Sequence, residues 1–250
     1  MSRRIRIGLI VPSSNTTMET ELPELFRRQE RHAPQTFSFH SARMRMTEVT
    51  PEALAAMDQS SDRCVIELAD ADCDVLAYAC LVAVMAAGPG AHQHAERRLS
   101  AVAAAAGSGA AVITSAGALV TGIRALGASR VALIAPYQPP LTRMVVDYLA
   151  DLDIDVVDAV SLGVADNRAV GRLDPADLIG LAGQLDVRRA EAVVVSACVQ
   201  MPSLPAIPQV EKLTGLPVLS AATATARQVL GTLGLETAID GAGALLHARL

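Results

Sequence analysis

Short apolar segments alternate along this chain with longer segments that have helical periodicity, and this alternation constrains the fold more than any other feature. Strands that alternate with helices form mostly parallel sheets covered by helices, because each parallel strand needs a long crossover connection. The predicted class is therefore α/β. The predicted strands are Ile5–Val11, Phe37–Ser41, Val75–Ala79, Ala111–Thr114, Val131–Ala135, Asp155–Ser161, Ala192–Ser196 and Val218–Leu219.

The second half of the chain repeats features of the first half in the same order. RIGLIVPSSN resembles RVALIAPYQP, VLAYACLVA resembles VVVSACVQM, and AVITSAGALV resembles PVLSAATATA. Three matches in one order favour a duplicated unit. We therefore predict two lobes related by a pseudo-twofold axis, each a mostly parallel sheet flanked by helices. The first lobe would comprise residues 1–115 and 228–250, the second residues 116–227, with the active site in the cleft between them.

Composition and charge exclude two kinds of partner. The formal net charge is −5 and only 2% of the residues are aromatic, so the chain lacks the basic surface and the stacking side chains of a nucleic-acid-binding protein. The apolar run Ile7–Val11 is too short for the core of a signal peptide, and no later run approaches the length of a membrane span. We expect a cytoplasmic protein that binds neither nucleic acid nor membranes.

Cofactor motifs are also missing from the sequence. The chain has 4 cysteines without a C-x-x-C pair, and reducing conditions in the cytoplasm would keep them as thiols. His92 and His94 form an H-x-H pair without further ligands at metal spacing, so we expect a solvated helix start there. Glycine-rich nucleotide-binding motifs are absent. These observations predict a protein without metal or cofactor.

Cys80 and Cys198 occupy equivalent positions, each just after one of the matched strands. Ligands of open parallel sheets bind beyond the carboxyl ends of the strands, so two facing lobes would bring these thiols to opposite sides of one cleft. A thiolate is a good nucleophile near neutral pH, and a thiol can donate a proton. An unmatched buried cysteine is more often a core residue, which is what we expect of Cys64 and Cys73.

Three further polar residues near the predicted cleft have competing interpretations. Asn15 precedes a helical segment and could be its N-cap, a position that is compatible with binding an anion. Tyr137 stands where the first lobe has Ser13 and is either a buried aromatic residue or a site residue. Asn167 lies in a polar loop, and by itself this position predicts a turn residue.

Segments that contain these residues resemble bacterial maleate cis-trans isomerases, a family of the aspartate/glutamate racemase superfamily. The likeness extends over nearly the whole chain. The segments are PSSNTTMETE, FHSARMRM, ACLVAVMAAGPG, TSAGALV, APY, VADN and SACVQMPSLP. The resemblance implies a cofactor-free enzyme that converts maleate to fumarate. It assigns the nucleophile to Cys80 and proton transfer to Cys198, and it places substrate contacts at Asn15, Leu81, Val82, Tyr137, Asn167, Val199 and Gln200.

The chemistry that this resemblance implies must overcome the rigid double bond of maleate. We hypothesise that the Cys80 thiolate adds to one alkene carbon while Cys198 protonates the other, and that elimination follows rotation about the new single bond. A substrate carboxylate about 5 Å from the thiolate would cost roughly 3 kcal/mol at an effective dielectric constant near 20. Because these segments contain no Arg or Lys next to the cysteines, we expect N–H and hydroxyl groups to hold the carboxylates.

Two other functions remain open at this stage. One is a two-cysteine amino-acid racemase of the same superfamily, and the other is a dicarboxylate-binding protein without turnover. The racemase would need an acceptor for the substrate ammonium group, which these segments do not plainly supply. The apolar helices suggest a homodimer or a higher homo-oligomer.

Overall fold

In the computed structural model, which describes residues 4–247, the chain forms two parallel four-stranded sheets with the same strand arrangement. The first sheet has the spatial order β2-β1-β3-β4, and the second has the order β6-β5-β7-β8. The strands are β1 Arg4–Pro12, β2 Thr36–Met44, β3 Val75–Tyr78, β4 Ala111–Thr114, β5 Arg130–Ala135, β6 Asp155–Ser161, β7 Ala192–Ser196 and β8 Val218–Ser220. The predicted α/β class, the two-lobe repeat and all the predicted strands are confirmed.

Helices connect the strands and cover the sheets. They are α1 Met18–Gln29, α2 Pro51–Asp58, α3 Ser61–Asp70, α4 Leu81–Ala86, α5 Ala91–Ala105, α6 Ser115–Ala125, α7 Pro139–Ala150, α8 Asn167–Val170, α9 Asp177–Ala182, α10 Ile207–Thr214 and α11 Ala221–Thr232. Short 3-10 turns occur at Leu204–Ala206 and Ala244–Leu246. Among residues 4–247, no helix has both the length and the apolar character needed to cross a bilayer.

Strands β3 and β7 occupy equivalent inner positions of the two sheets, and every residue of both strands is buried. Parallel sheets bury both faces under helices, which explains why these strands are continuous apolar runs without polar alternation. A residue that directly follows such a strand therefore lies in the interior of the molecule. Cys80 follows β3 and Cys198 follows β7 in this way.

Helix α11 connects the two halves of the molecule. It follows β8 of the second sheet, packs along α6, and also contacts α1, β3 and β4 of the first half. The segment after α11 makes hydrogen bonds with both halves of the molecule. The Gln29 side-chain amide donates to the carbonyl of Glu236 at 2.8 Å, and the Ala244 N–H donates to Glu211 on α10 at 2.7 Å. The assignment of residues 228–250 to the first lobe stays a prediction, and residues 1–3 and 248–250 lie outside the described residues.

The packing of α6 against α11 depends on a glycine. A Cβ atom at Gly122 of α6 would lie 3.2 Å from the Cβ of Ala224 on α11, and 3.3 Å from the side chains of Leu219 and Leu245. We expect Gly122→Leu to lower the free energy of unfolding by about 1–3 kcal/mol through overpacking, measured by urea denaturation. Gly231→Leu is the matched control, because Gly231 of α11 has no atom within 4 Å of the added Cβ. Equal losses in the two variants would contradict this prediction.

Candidate active site

The sulfur atoms of Cys80 and Cys198 share one buried region between the two halves of the molecule. Cys80 is 3% exposed and Cys198 is 6% exposed. The pKa of the Cys80 thiol is raised, first by burial and also by the charge of Cys198. The Tyr137 hydroxyl binds the Cys198 sulfur, and its pKa is raised first by burial and then by the charges of Cys198 and Cys80. Two cysteines that are far apart in the sequence, together with a tyrosine from the segment after β5, therefore converge in the fold.

The two sulfurs have different hydrogen-bond environments. The Cys198 sulfur accepts from the Tyr137 hydroxyl and from the backbone N–H groups of Gln200, at 3.4 Å, and Met201. Burial raises the pKa of Cys198, and these three donors lower it. Burial raises the pKa of Cys80 to about 12, and only the Ala83 N–H offsets it among the groups that act on this thiol in the described chain. A thiolate is thus better stabilised at Cys198 than at Cys80.

Mutual repulsion limits the charge of this pair. Two thiolates in one buried region disfavour each other, so the second proton is lost at a higher pH than the first. The pair consequently shares one proton over a range of pH. One sulfur can then act as a nucleophile while the other is a proton donor, which is the combination that addition to a double bond requires.

Asn15 and Asn167 lie beside this region and are both buried. Asn15 caps α1, since its Oδ1 accepts from the Met18 N–H at 3.2 Å, and its Nδ2 also donates to the Val199 carbonyl at 3.5 Å. The Asn167 Nδ2 donates to Ser14 Oγ at 2.7 Å. Asn15 therefore has the predicted capping role and in addition joins the two halves of the molecule.

The turn after β7 is held by residues from the first half of the chain. The Thr17 hydroxyl donates to the Gln200 carbonyl at 2.7 Å, and the Gln200 side-chain amide donates to the Ser14 carbonyl at 3.1 Å and to the Asn167 carbonyl. The Gln200 Oε1 is buried without a hydrogen-bond partner. This turn, which carries Cys198, is thus attached to the loop between β1 and α1.

The backbone positions that the resemblance assigns to the substrate lie next to the sulfurs. Leu81 and Val82 form the first turn of α4, where backbone N–H groups have no partner within the helix. Val199 and Gln200 lie in the turn after β7, and the Gln200 N–H points to the Cys198 sulfur. All four residues are buried. The structure thus brings the predicted residues together, and their roles toward a substrate stay predictions.

Two interpretations from the sequence were wrong. Asn167 is not an exposed turn residue, because it begins α8, is 4% exposed and binds Ser14 across the lobes. Helix α5 does start near His92 and His94 is exposed, as expected, but His92 is 7% exposed and not solvated. Its ring Nδ1 is 2.6 Å from the Tyr148 hydroxyl of α7. In both cases, a partner from the other half of the chain buries a side chain that local sequence predicts to be exposed. The burial of Cys64 and Cys73 is confirmed.

Several residues that support the site were not assigned a role from the sequence. The Ser196 hydroxyl donates to the carbonyls of Cys198 at 2.8 Å and Met201 at 3.2 Å, so it binds both ends of the turn that carries Cys198. Tyr78, two residues before Cys80, donates to Asp58 at 2.6 Å. Glu21 on α1 accepts hydrogen bonds from the segment that follows Met201. Glu21 and Ser196 lie within the quoted segments PSSNTTMETE and SACVQMPSLP, but the sequence assigned no role to either residue.

The segment between β2 and α2 reaches across the cleft. Glu48 in this segment forms an isolated antiparallel backbone bridge with Asp166, the residue before Asn167. The predicted site residues beside this segment are almost completely buried.

Comparison with known proteins agrees with this geometry. The arylmalonate decarboxylase family model matches residues 7–246. A maleate isomerase from Geobacillus stearothermophilus is 56% identical over 250 residues, which cover 100% of both chains. The similarity therefore extends over both halves of the chain.

Solved structures of maleate isomerases have the same fold. A cysteine-to-alanine variant from a Pseudomonas putida strain, determined with maleate, superimposes with a TM-score of 0.97 at 50% identity over 98% of each chain. A cysteine-to-serine variant of the Nocardia farcinica enzyme, with a covalently bound succinylcysteine intermediate, gives a TM-score of 0.95 at 50% identity over 98% of this chain and 99% of that one. The chain therefore belongs to the arylmalonate decarboxylase family and, within it, to the maleate isomerases.

Proposed function

We propose that this protein converts maleate to fumarate by reversible addition of a cysteine thiolate to the double bond, without a cofactor. The observation that carries this proposal is the convergence of Cys80, Cys198 and Tyr137 in one buried region, in a chain that belongs to the maleate isomerases. The succinylcysteine of the Nocardia farcinica enzyme supports a covalent intermediate of this kind.

The reaction begins with bond formation between Cys80 and the substrate. The Cys80 sulfur attacks one alkene carbon, and the electron pair of the double bond moves toward the carboxylate of the other carbon. Cys198 then protonates that carbon, which gives a succinyl thioether. The former double bond is now single and can rotate. Removal of a proton by the Cys198 thiolate and departure of the Cys80 thiolate release fumarate.

One proton is sufficient for the two sulfurs in this scheme. When the pair holds a single proton, the negative charge is favoured at Cys198 by its three donors. Transfer of the proton from Cys80 to Cys198 creates the nucleophile and the acid in the same step. Elimination leaves the proton on Cys198, and its return to Cys80 restores the starting state, so no external proton donor or base is consumed.

The substrate carboxylates are held by neutral groups in this proposal. In the described chain, no Arg or Lys is among the groups that shift the pKa values of the two thiols. The shifts come from burial, N–H donors, Tyr137, Asp58 and the other sulfur. We assign substrate contacts to the side chains of Asn15, Tyr137 and Asn167 and to the backbone at Leu81, Val82, Val199 and Gln200. Preorganised donors of this kind also stabilise the charge that develops on a carboxylate during addition.

The location, the oligomeric state and the lobe boundaries of the enzyme are also inferred. We infer a cytoplasmic homodimer or higher homo-oligomer, with the site between a first lobe of residues 1–115 and 228–250 and a second lobe of residues 116–227. The contacts of α11 with α1, β3 and β4 support the return of the chain to the first lobe. Size-exclusion chromatography with light scattering measures the oligomeric state.

Proton NMR of maleate with the protein in deuterated buffer tests the function directly. We expect the maleate signal to be replaced by the fumarate signal. Exchange of the α-hydrogen of an amino acid without any action on maleate would instead identify a racemase. Binding of maleate without fumarate would identify a dicarboxylate-binding protein, and either result would overturn the proposal.

Tyr137→Phe tests the role of the donor to Cys198. Loss of the hydroxyl raises the pKa of Cys198, because the Tyr137 hydrogen bond lowers it in the wild type. We expect kcat/KM to fall by about 10- to 100-fold near neutral pH. In the wild type, burial raises the pKa of both thiols, so kcat/KM should still be increasing with pH above about pH 8, and the variant profile should move to higher pH.

Tyr148→Phe is the matched control for this variant. Tyr148 is equally buried, but its hydroxyl contacts His92 and not the sulfurs. We expect its pH profile to coincide with that of the wild type. Coincidence of the Tyr137→Phe profile with both would contradict the assigned role.

A further inference from the structure

Glu21 is a carboxylate in the interior of the molecule. It lies on α1, is 6% exposed, and has no cation among its hydrogen-bond partners in the described chain. Its oxygens accept from the backbone N–H groups of Ser203 at 2.5 Å and Leu204 at 2.7 Å, and from the Ser203 hydroxyl at 3.3 Å. Burial raises the pKa of Glu21, and these donors lower it. A buried carboxylate is costly, so its location calls for a physical explanation.

Glu21 acts together with a second side chain of the same helix face. Thr17 lies four residues before Glu21, and residues with this spacing are neighbours on a helix surface. The Thr17 hydroxyl binds the Gln200 carbonyl at 2.7 Å, while Glu21 binds the amides of Ser203 and Leu204. Helix α1 of the first half thus holds the 200–204 segment of the second half at two points.

This segment continues directly from the Cys198 turn. The N–H groups of Gln200 and Met201 bind the Cys198 sulfur. Along the chain they lie between the Cys198 carbonyl, which accepts from Ser196, and the amides that donate to Glu21. A shift of the 202–204 backbone therefore changes the position of the donors that stabilise the Cys198 thiolate. Hydrogen bonds to a thiolate lower the thiol pKa only when the donors keep their distance and direction.

We propose that Glu21 is a positioning residue for the isomerisation, which places the N–H donors of the Cys198 turn from the opposite half of the molecule. It does not contact the substrate. The negative charge serves this function because two adjacent amides and a hydroxyl converge on it, and charge-assisted hydrogen bonds are roughly twice as strong as neutral ones. The inference rests on the proposed function for its kinetic consequence, but not for its effect on Cys198.

Alkylation of Cys198 tests the positioning role without maleate. In a Cys80→Ala background, the rate of Cys198 modification by iodoacetamide is followed against pH by peptide mass spectrometry. Tyr137 is then the titratable group that still faces the Cys198 sulfur. We expect Glu21→Gln to raise the apparent pKa of Cys198 by roughly one unit. Glu24→Gln is the matched control, because it makes the same change on the same helix at an exposed pair with Arg27 and Arg28.

Steady-state kinetics with both cysteines present give the second measurement. We expect Glu21→Gln to lower kcat by about tenfold or more while KM changes less, since misplacement of the acid acts on the chemical step. Glu21→Asp keeps the charge on a shorter side chain and should recover part of kcat. Glu24→Gln should match the wild type.

The result that overturns the proposal is a folded Glu21→Gln protein whose Cys198 alkylation profile and kcat coincide with those of Glu24→Gln. If Glu21→Gln does not fold, the same comparison is made with Glu21→Asp, and an unchanged alkylation profile again overturns it. Failure of the isomerase proposal would appear as absence of fumarate in the wild type. The alkylation result is independent of that outcome.

Discussion

Replacement of Cys80 with alanine is expected to lower the conversion of maleate to fumarate by at least about 10⁴-fold, because it removes the atom that bonds to the substrate. Cys64 and Cys73 are buried beside other charged groups and not beside the site sulfurs, and the proposed mechanism assigns proton transfer to Cys198, so we expect no other thiol in the described chain to take over this role. Progress is followed by NMR, and intact-protein mass spectrometry after incubation with maleate should detect no adduct.

The control for this variant is Cys64→Ala, which removes a buried thiol outside the site. It should keep turnover within about threefold of the wild type, apart from any loss of stability, which a urea titration measures separately. Turnover by Cys80→Ala at a rate close to that of Cys64→Ala would rule out addition through Cys80. An adduct on Cys198 in the Cys80→Ala protein would reverse the assignment of the two sulfurs.

Cys198→Ser is expected to slow the elimination of fumarate more than the addition of Cys80 to maleate. Turnover should fall by about 10²- to 10⁴-fold, the usual contribution of general acid–base catalysis. Cys80 is retained in this variant and can still add to maleate once solvent takes its proton, so a succinyl adduct should accumulate because the group that removes the carbon-bound proton is missing. Its signature is a mass gain equal to one molecule of maleic acid, located on the peptide that contains Cys80.

The adduct distinguishes this outcome from simple damage to the site. A variant that merely disturbed packing would lose turnover and adduct together, whereas loss of the proton-transfer step leaves the adduct in place. Cys73→Ser is the comparison, since it makes the same chemical change at a buried thiol outside the site. Full activity of Cys198→Ser without adduct would show that this sulfur does not transfer a proton.

The difference between the two sulfurs also has a consequence for how the pair starts the reaction. Cys198 has three hydrogen-bond donors and Cys80 has one, so the resting charge is favoured at the sulfur that is not the nucleophile. This arrangement limits unwanted reactions of a free Cys80 thiolate before the substrate arrives. In the proposed mechanism, the nucleophile forms when Cys198 takes the proton after the substrate has bound.

Local sequence was sufficient for the strands, the α/β class and the cysteine pair. Apolar periodicity is a property of neighbouring residues, so β4, β6 and β7 could be located with their observed limits. The repeat added information that a single site lacks, because it marked Cys80 and Cys198 as equivalent positions. The resemblance to maleate isomerases then supplied the chemistry.

Tertiary structure alone decided which polar residues support the site. Glu21 binds the amides of Ser203 and Leu204, and Asn167 binds Ser14, yet each pair is separated by more than half of the chain. Such contacts depend on how two lobes meet, and neither periodicity nor capping rules describe an encounter between distant segments. Locally, Glu21 has the pattern of an ordinary helix residue and Asn167 that of a turn. Burial between the lobes gives both residues their partners, and the hydrogen-bond donors that meet there determine which sulfur better holds a negative charge.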